Sequence, residues 1–139
     1  MRRSREGFDH ERFDAYTVAL AFATLTREIT QALPKGRHSI GDQLEGAAAS
    51  IVLNLAEGAG EFSRREKARF YRIALRSATE AAAALDVGHA LGYVTRDHQD
   101  NGKEKLNRIA AMLQALVHRT RGVEPALDPS ATTDNLDGT

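Results

Sequence analysis

The sequence predicts an all-α protein that folds as an antiparallel, up-and-down four-helix bundle. Four segments repeat apolar residues at spacings of three and four, which places them on one face of a helix, and none shows the alternation of a strand. The segments are joined by connections of about three to a dozen residues, which favours antiparallel neighbours. With 139 residues the chain is long enough for one domain with a real core.

The first helix is predicted from Glu11 to Leu33, where "LPKG" ends it because proline cannot continue a helix. Its apolar residues are Phe13, Tyr16 and Leu20 on one side, widened by Val18, Phe22, Leu25 and Ile29. The second is predicted from Ser39, as N-cap, to Glu57, with "GAG" at residues 58–60 breaking it. Its core residues are Ile40, Leu44, Ala47, Ile51 and Leu55.

The third helix is predicted to start at Ser63, because "SRRE" places Glu66 three residues after the cap as in a capping box. "LGY" at Leu91–Tyr93 closes it. Its core side comprises Phe70, Ala74, Ala78, Ala81, Leu85 and Leu91. The fourth is predicted from Lys103 to Arg119, with an earlier start near Thr95 left open. Its stripe is Leu106, Ile109, Leu113, Leu116 and Val117.

These patterns predict three parts of the chain: a flexible N-terminus over residues 1–10, the bundle over residues 11–121 and a disordered acidic tail over residues 122–139. Residues 123–139 hold four acids and no Lys or Arg, so the rest of the chain has 19 basic and 15 acidic residues. Neither a secretory signal nor an apolar membrane span is expected, and there is no cysteine, so we expect a cytoplasmic protein.

An arginine ridge is the clearest functional candidate. Arg65, Arg69, Arg72 and Arg76 are spaced to form one narrow line on the third helix, opposite its core side. Arg64 and Lys67 add charge beside it. Such a ridge suits nucleic-acid phosphates. The alternative is an ordinary solvated face with local ion pairs, for which Glu80 lies four residues after Arg76.

Polar residues among apolar ones form a second candidate set: Asn54, Glu57, Ser77 and Glu80, next to Gly58. We expect them to hydrogen-bond across the second and third helices and to fix register, so that Asn54→Ala or Glu57→Ala damages folding or assembly first. The functional alternative makes Glu57 or Glu80 a general acid or base.

Neither a metal nor a cofactor is expected. The five histidines are scattered, and the nearest approach to a Glu-x-x-His ligand pair, Asp86 with His89, occurs once. No phosphate-binding glycine loop or nucleophile motif is present. The alanine-rich bundle, with Val18, Tyr71 and Leu75 on extra faces, favours self-association.

The stretch from Ser50 to Tyr93 resembles the four-helix bundle proteins encoded in intervening sequences of 23S rRNA genes, a family that includes the accessory variability determinants of diversity-generating retroelements. Its pattern reads "S-x-x-x-N-x-A-E-G", then "F-x-x-x-A-x-x-S-x-x-E" and a closing "G-Y". The matching residues are Ser50, Asn54, Ala56, Glu57, Gly58, Phe70, Ala74, Ser77, Glu80, Gly92 and Tyr93.

The resemblance implies a ring-shaped homo-oligomer, a pentamer, without enzyme activity. It suggests a non-catalytic adaptor that binds a reverse transcriptase and its RNA through the basic helix face, without a small-molecule substrate. The alternative is a protein–protein scaffold ring with no nucleic-acid role. Glu45, Gly46 and Glu61 replace positions that are often basic in relatives, which removes positive charge from two places that could face RNA.

Overall fold

The computed structural model describes the backbone of residues 2–122 and the side chains of residues 14–120. Its helices are α1 (Arg2–Ala32), α2 (His38–Gly60), α3 (Arg64–Ala90) and α4 (Arg96–Gly122). Within residues 2–122 there is no strand, so the predicted all-α class is confirmed. The predicted tail lies almost wholly outside this range.

The four helices form a square in which each packs on its neighbours in sequence and α1 also packs on α4. Contacts between α2 and α3 run in opposite directions along the two helices: Ser50 meets Ser77, while Gly58, further along α2, meets Tyr71, earlier in α3. The connecting turns are short, at residues 33–37, 61–63 and 91–95. The helices are therefore antiparallel, as predicted.

The core runs along the axis of the square and combines a few large side chains with many alanines. Its largest fully buried members are Tyr71, Phe22, Ile29, Leu44, Ile51, Leu85, Ile109, Leu113 and Leu116. Ala15, Ala48, Ala74 and Ala81 are almost completely buried between them. Because alanine keeps the helix backbones close, small changes of volume at these interfaces are expected to disturb packing.

Two helix starts differ from the sequence prediction. α1 begins at Arg2 rather than Glu11, because the prediction relied on an apolar stripe that starts only at Phe13. α2 begins at His38, and its N-cap residue is Arg37, without a side-chain cap, so Ser39 is not the cap. At α4 the earlier start is correct: the Thr95 hydroxyl accepts a bond from the His98 N–H at 3.1 Å.

The expected break at residues 58–60 is wrong, since α2 continues through all three residues to Gly60. Gly58 is buried, and a Cβ built on it would lie 2.5 Å from Cε1 of Tyr71. Glycine is thus required here for close approach of α3, and the helix ends only at Glu61.

Several expected core positions lie elsewhere. Tyr16 and Leu20 are 38% and 45% exposed, and Leu91 is 57% exposed in the α3–α4 turn. Conversely, Val18 and Tyr71, expected on extra faces for self-association, are buried inside the bundle. They cannot form an external contact, and the exposed large apolar residues described in α1 and α2 are instead Tyr16, Leu20 and Leu53.

Candidate nucleic-acid interface

The local sequence at the start of α3 fixes where its arginines point. Ser63 is the N-cap, and its hydroxyl accepts a bond from the Glu66 N–H at 3.3 Å, so the predicted cap is confirmed. The Glu66 carboxylate bonds Arg69 instead of completing the capping box. From this start, burial of Tyr71, Ala74 and Ala78 turns the opposite side of the helix to solvent.

The structure places all four members of the arginine ridge on that exposed side. Arg65, Arg72 and Arg76 make no hydrogen bond or ion pair with another residue among the described side chains. Between Arg65 and Arg76 the ridge extends about 16 Å, at 1.5 Å per residue. These three guanidinium groups therefore keep their donors available for an external anion.

Arg69 is held more firmly than its neighbours. Its Nε donates to Oε1 of Glu66 at 3.1 Å, and its guanidinium lies 4.6 Å from the centre of the Phe70 ring. The other ion pair anticipated for this face, between Arg76 and Glu80, does not form within 4.0 Å in the structure. Among the side chains that the structure describes, the ridge is therefore neutralised at Arg69 alone.

Lys67 has a structural contact that the sequence analysis missed. Its ammonium donates to the carbonyl oxygens of Gly58 at 2.9 Å and Ala59 at 3.0 Å, in the last turn of α2. Carbonyl groups in the last turn of a helix lack an ordinary i+4 donor, and a cation there also suits the helix dipole. The Gly58 carbonyl additionally accepts the Glu61 N–H at 3.3 Å. Lys67 thus fastens α3 to the end of α2, whereas Arg64 is exposed beside the ridge.

A chain of hydrogen bonds joins α2 and α3 near their middle. Asn54 Nδ2 donates to Ser50 Oγ at 3.2 Å, the Ser50 and Ser77 hydroxyl oxygens lie 2.7 Å apart, and Ser77 donates to the Ile73 carbonyl at 3.2 Å. Asn54 also bonds the Ser50 carbonyl. The structure therefore brings Asn54 and Ser77 together, through Ser50.

Glu57 and Glu80 do not take part in this chain. Both are exposed, and neither has a hydrogen bond or ion pair to another described side chain. They are surface carboxylates on the outside of a helix pair. Residues three apart share a broad helix face but differ by about 60° around the axis, and here that offset places Glu57 and Glu80 beyond the edge of the interface.

Phe62 is a further feature that the sequence analysis did not single out. It lies in the turn between α2 and α3, directly before the Ser63 cap, and its side chain is fully exposed. Its only sequence signal was an aromatic residue within a short polar connection. It stands beside the start of the arginine ridge.

The opposite end of the bundle carries ordinary ion pairs. Asp86 accepts bonds from Lys103 at 2.8 Å and from Gln99 at 2.9 Å, and these two bonds, the Lys103 bond foremost, lower the pKa of Asp86. His98 meets Glu28 at 3.0 Å. Across the described residues, no His, Asp and Glu group has an arrangement that could hold a metal ion. Likewise, none of the described helices is long and apolar enough to cross a membrane.

The comparisons with known proteins agree with this architecture. The family model for the 23S rRNA-intervening sequence protein matches residues 11–115, which is most of the chain. The chain belongs to this family. The retroelement part of the resemblance is not tested by that match.

A similar solved structure comes from Bacteroides thetaiotaomicron, a protein of unknown function from the S23 ribosomal protein family. Its sequence is 20% identical to this chain, and the two structures superimpose with a TM-score of 0.72. The match covers 77% of this chain and 97% of the Bacteroides protein. At that identity the likeness shows the fold. No curated protein matches the chain.

Proposed function

We propose that this protein is a non-catalytic adaptor that binds RNA through the arginine ridge and assembles as a ring of five copies. The observation that carries the proposal is the row formed by Arg65, Arg72 and Arg76, exposed and without a partner among the described side chains. A solvated surface of ordinary design usually intersperses charges of both signs. On the arginine ridge, by contrast, Glu66 pairs with Arg69, and the other three arginines pair with no acid among the described side chains.

Such a surface binds phosphates without reading bases. Arginine presents a planar fork of donors to phosphate oxygens, and each contact releases condensed counterions. Repetition of the ridge around a ring would add the contacts of several subunits on one strand. A reverse transcriptase with its RNA is the partner that the retroelement relatives suggest, and this assignment rests on the resemblance.

RNA binding is tested with the triple variant Arg65→Ala/Arg72→Ala/Arg76→Ala. The matched control is Lys35→Ala/Arg96→Ala/Arg108→Ala, which removes the same charge from exposed positions elsewhere. We expect the ridge variant to lose RNA affinity for all sequences alike, while the control retains most of it. For three or four phosphate contacts on a single strand, the wild-type log K should fall against log salt with a slope of about −2 to −3. Equal loss in both variants, or no RNA retention at low salt, contradicts the proposal.

A scaffold ring without nucleic acid is the second candidate, and an apolar face favours it. Arg27 Nη1 lies 3.7 Å from Glu45 Oε2 across α1 and α2. Two turns further along these antiparallel helices Leu20 comes level with Val52, and three turns along Tyr16 comes level with Ala56. The α1–α2 apolar face thus comprises Tyr16, Leu20, Ala49, Val52, Leu53 and Ala56.

The α1–α2 apolar face indicates that the outer side of α2 is covered by another protein surface. α2 carries no Lys or Arg, and Leu53, on its outer side, is 63% exposed. A helix that is apolar on both its inner and outer sides is normally covered on both. A second copy of the chain is the occupant we propose, which serves either function. A pull-down dominated by one protein and unaffected by nuclease would favour the scaffold over the RNA adaptor.

A further inference from the structure

The turn between α2 and α3 presents an aromatic side chain that the fold itself does not use. Phe62 is fully exposed, while its neighbours Glu61 and Ser63 have extended backbone at ψ 143° and 128°. The turn is tied at both sides, because the Glu61 N–H bonds the Gly58 carbonyl at 3.3 Å and Ser63 caps α3. Phe62 is therefore held away from the bundle on an anchored backbone.

The surroundings of Phe62 are basic. Residues 61–76 contain six cations and two acids, Glu61 and Glu66. Three residues span at most about 11 Å, so Phe62 and Arg65, the first member of the ridge, are close neighbours. The positive end of the 27-residue helix α3 points to the same place. An exposed aromatic ring thus stands at the head of a line of arginines.

We propose that Phe62 is a stacking platform for an unpaired base of a single-stranded polynucleotide whose phosphates follow the arginine ridge. This inference rests on the proposed RNA function and adds to it that the ligand is single-stranded. Proteins that hold single strands combine a basic track with aromatic faces, because every base has a face that can stack. In a duplex the bases are already stacked on each other, so Phe62 would gain no such contact.

A docking site for a second copy is the competing explanation of the same ring. The centre of a protein–protein contact is usually depleted in charge, whereas Phe62 lies between Glu61 and the charged residues that follow Ser63, namely Arg64, Arg65 and Glu66. The uncharged exposed surface is on the α1–α2 apolar face instead. The charges around Phe62 therefore favour a polyanion.

The absence of tryptophan from the chain gives a direct test. Phe62→Trp in the full-length protein introduces a single tryptophan at the platform, and Leu91→Trp places one at an exposed position at the opposite end of the bundle. Each is titrated with a mixed-sequence oligoribonucleotide of about 12 nucleotides, with the equivalent DNA strand and with duplex RNA. We expect the single strands to quench the tryptophan at position 62 strongly, duplex RNA to quench it little, and no strand to quench the one at position 91.

Binding measured by fluorescence anisotropy completes the test. Phe62→Ala and Phe62→Leu are expected to weaken single-strand binding about tenfold or more, with the salt slope unchanged. Loss of binding in Phe62→Ala with full binding in Phe62→Leu would mean an apolar contact without stacking and would overturn the inference. RNA binding that depends on the ridge but ignores both variants would overturn the stacking role and leave the proposed function standing. No RNA binding by any form would remove both.

One more outcome separates the competing explanation. A change of tryptophan fluorescence at position 62 that follows protein concentration without RNA would assign Phe62 to a subunit contact and overturn the inference. Circular dichroism should be the same for all variants, because a fully exposed side chain contributes no packing.

Discussion

The ring of Tyr71 lies directly against the backbone of Gly58, so that a Cβ added to Gly58 would meet Cε1 of Tyr71 at 2.5 Å. Tyr71 is completely buried, and its ring therefore has little room to withdraw. This contact sets how closely α2 and α3 approach at the end of the bundle where the arginine ridge begins. It also explains why glycine stands in the middle of a turn of helix at residue 58.

Replacement of Gly58 by alanine is expected to destabilise the protein by about 1–3 kcal/mol, because the added methyl group overpacks the contact with Tyr71. Urea unfolding followed by circular dichroism measures the change. Gly46→Ala is the matched control, since Gly46 is also inside α2 and has open space around its Cβ position. The control should gain about 0.5–1 kcal/mol from helix propensity. Equal stabilisation in both variants would disprove the close-contact explanation.

The chain of bonds through Ser50 predicts which polar residues matter for stability. Asn54→Ala and Ser77→Ala should each cost about 1 kcal/mol, since each breaks a hydrogen bond and leaves a partner unsatisfied. Glu57→Ala, on the exposed side of the same helix, should change stability by less than about 0.5 kcal/mol. Thermal or urea unfolding gives both values. A larger loss for Glu57→Ala than for Asn54→Ala would restore the earlier expectation for Glu57 and contradict this structure.

Lys67 provides a separate test of how α2 ends. Lys67→Met keeps most of the apolar stem but removes both bonds to the Gly58 and Ala59 carbonyls, so we expect a loss of about 1–2 kcal/mol. Lys105→Met, which removes a surface bond to Asn101 within α4, is the control and should have little effect. If the two variants prove equally stable, the cap contributes nothing and Lys67 is better counted with the RNA-binding cations.

The lowered pKa of Asp86 has a defined consequence for acid stability. The folded-state pKa lies below the ordinary value of 3.8, so the charged pair stabilises the fold above that pH and the contribution disappears as pH falls through the lower folded value. Since the Lys103 bond is the largest cause, Lys103→Ala should raise the pKa of Asp86 in an NMR titration. An unchanged titration would rule out Lys103 as the cause. The effect on stability should be small because both side chains are substantially exposed, at 39% for Lys103 and 49% for Asp86.

The α1–α2 apolar face predicts where assembly can be broken. Leu53→Glu or Leu20→Glu should convert a multimer into the 15.2 kDa single chain in light-scattering measurements, because a carboxylate would be buried without a partner. Leu91→Glu, on an exposed leucine of similar accessibility in the α3–α4 turn, should leave the mass unchanged. Retention of the full mass by both face variants would move the subunit contact elsewhere.

Sequence periodicity was sufficient for the helices and their order, because burial of residues such as Phe22, Ile51 and Leu113 repeats over many turns. Periodicity was insufficient where a single contact between two helices determines the role of a residue. Gly58 looked like a helix break because its role depends on Tyr71, which is distant in sequence. Lys67 looked like one more surface cation, because its bonds to α2 require the helices to be paired first.

The candidate site was predictable in the same uneven way. The spacing of Arg65, Arg69, Arg72 and Arg76 determines a common side of any helix, and the structure exposes that side. Whether Arg76 pairs with Glu80 depends on side-chain conformations that spacing alone does not specify. Phe62 was not predicted as a functional residue, because a single aromatic residue in a three-residue turn shows no periodicity.

An even number of antiparallel helices puts the start of α1 and the end of α4 at the same end of the bundle as the Phe62 turn. An affinity tag attached at either of these helix ends would therefore crowd the ridge and weaken an interaction that the untagged chain makes. The α1–α2 turn at Pro34–Gly36 is about 35 Å away along the bundle, and a Cβ added at Gly36 would meet nothing within 4 Å. A label or surface linkage inserted there would leave the ridge accessible.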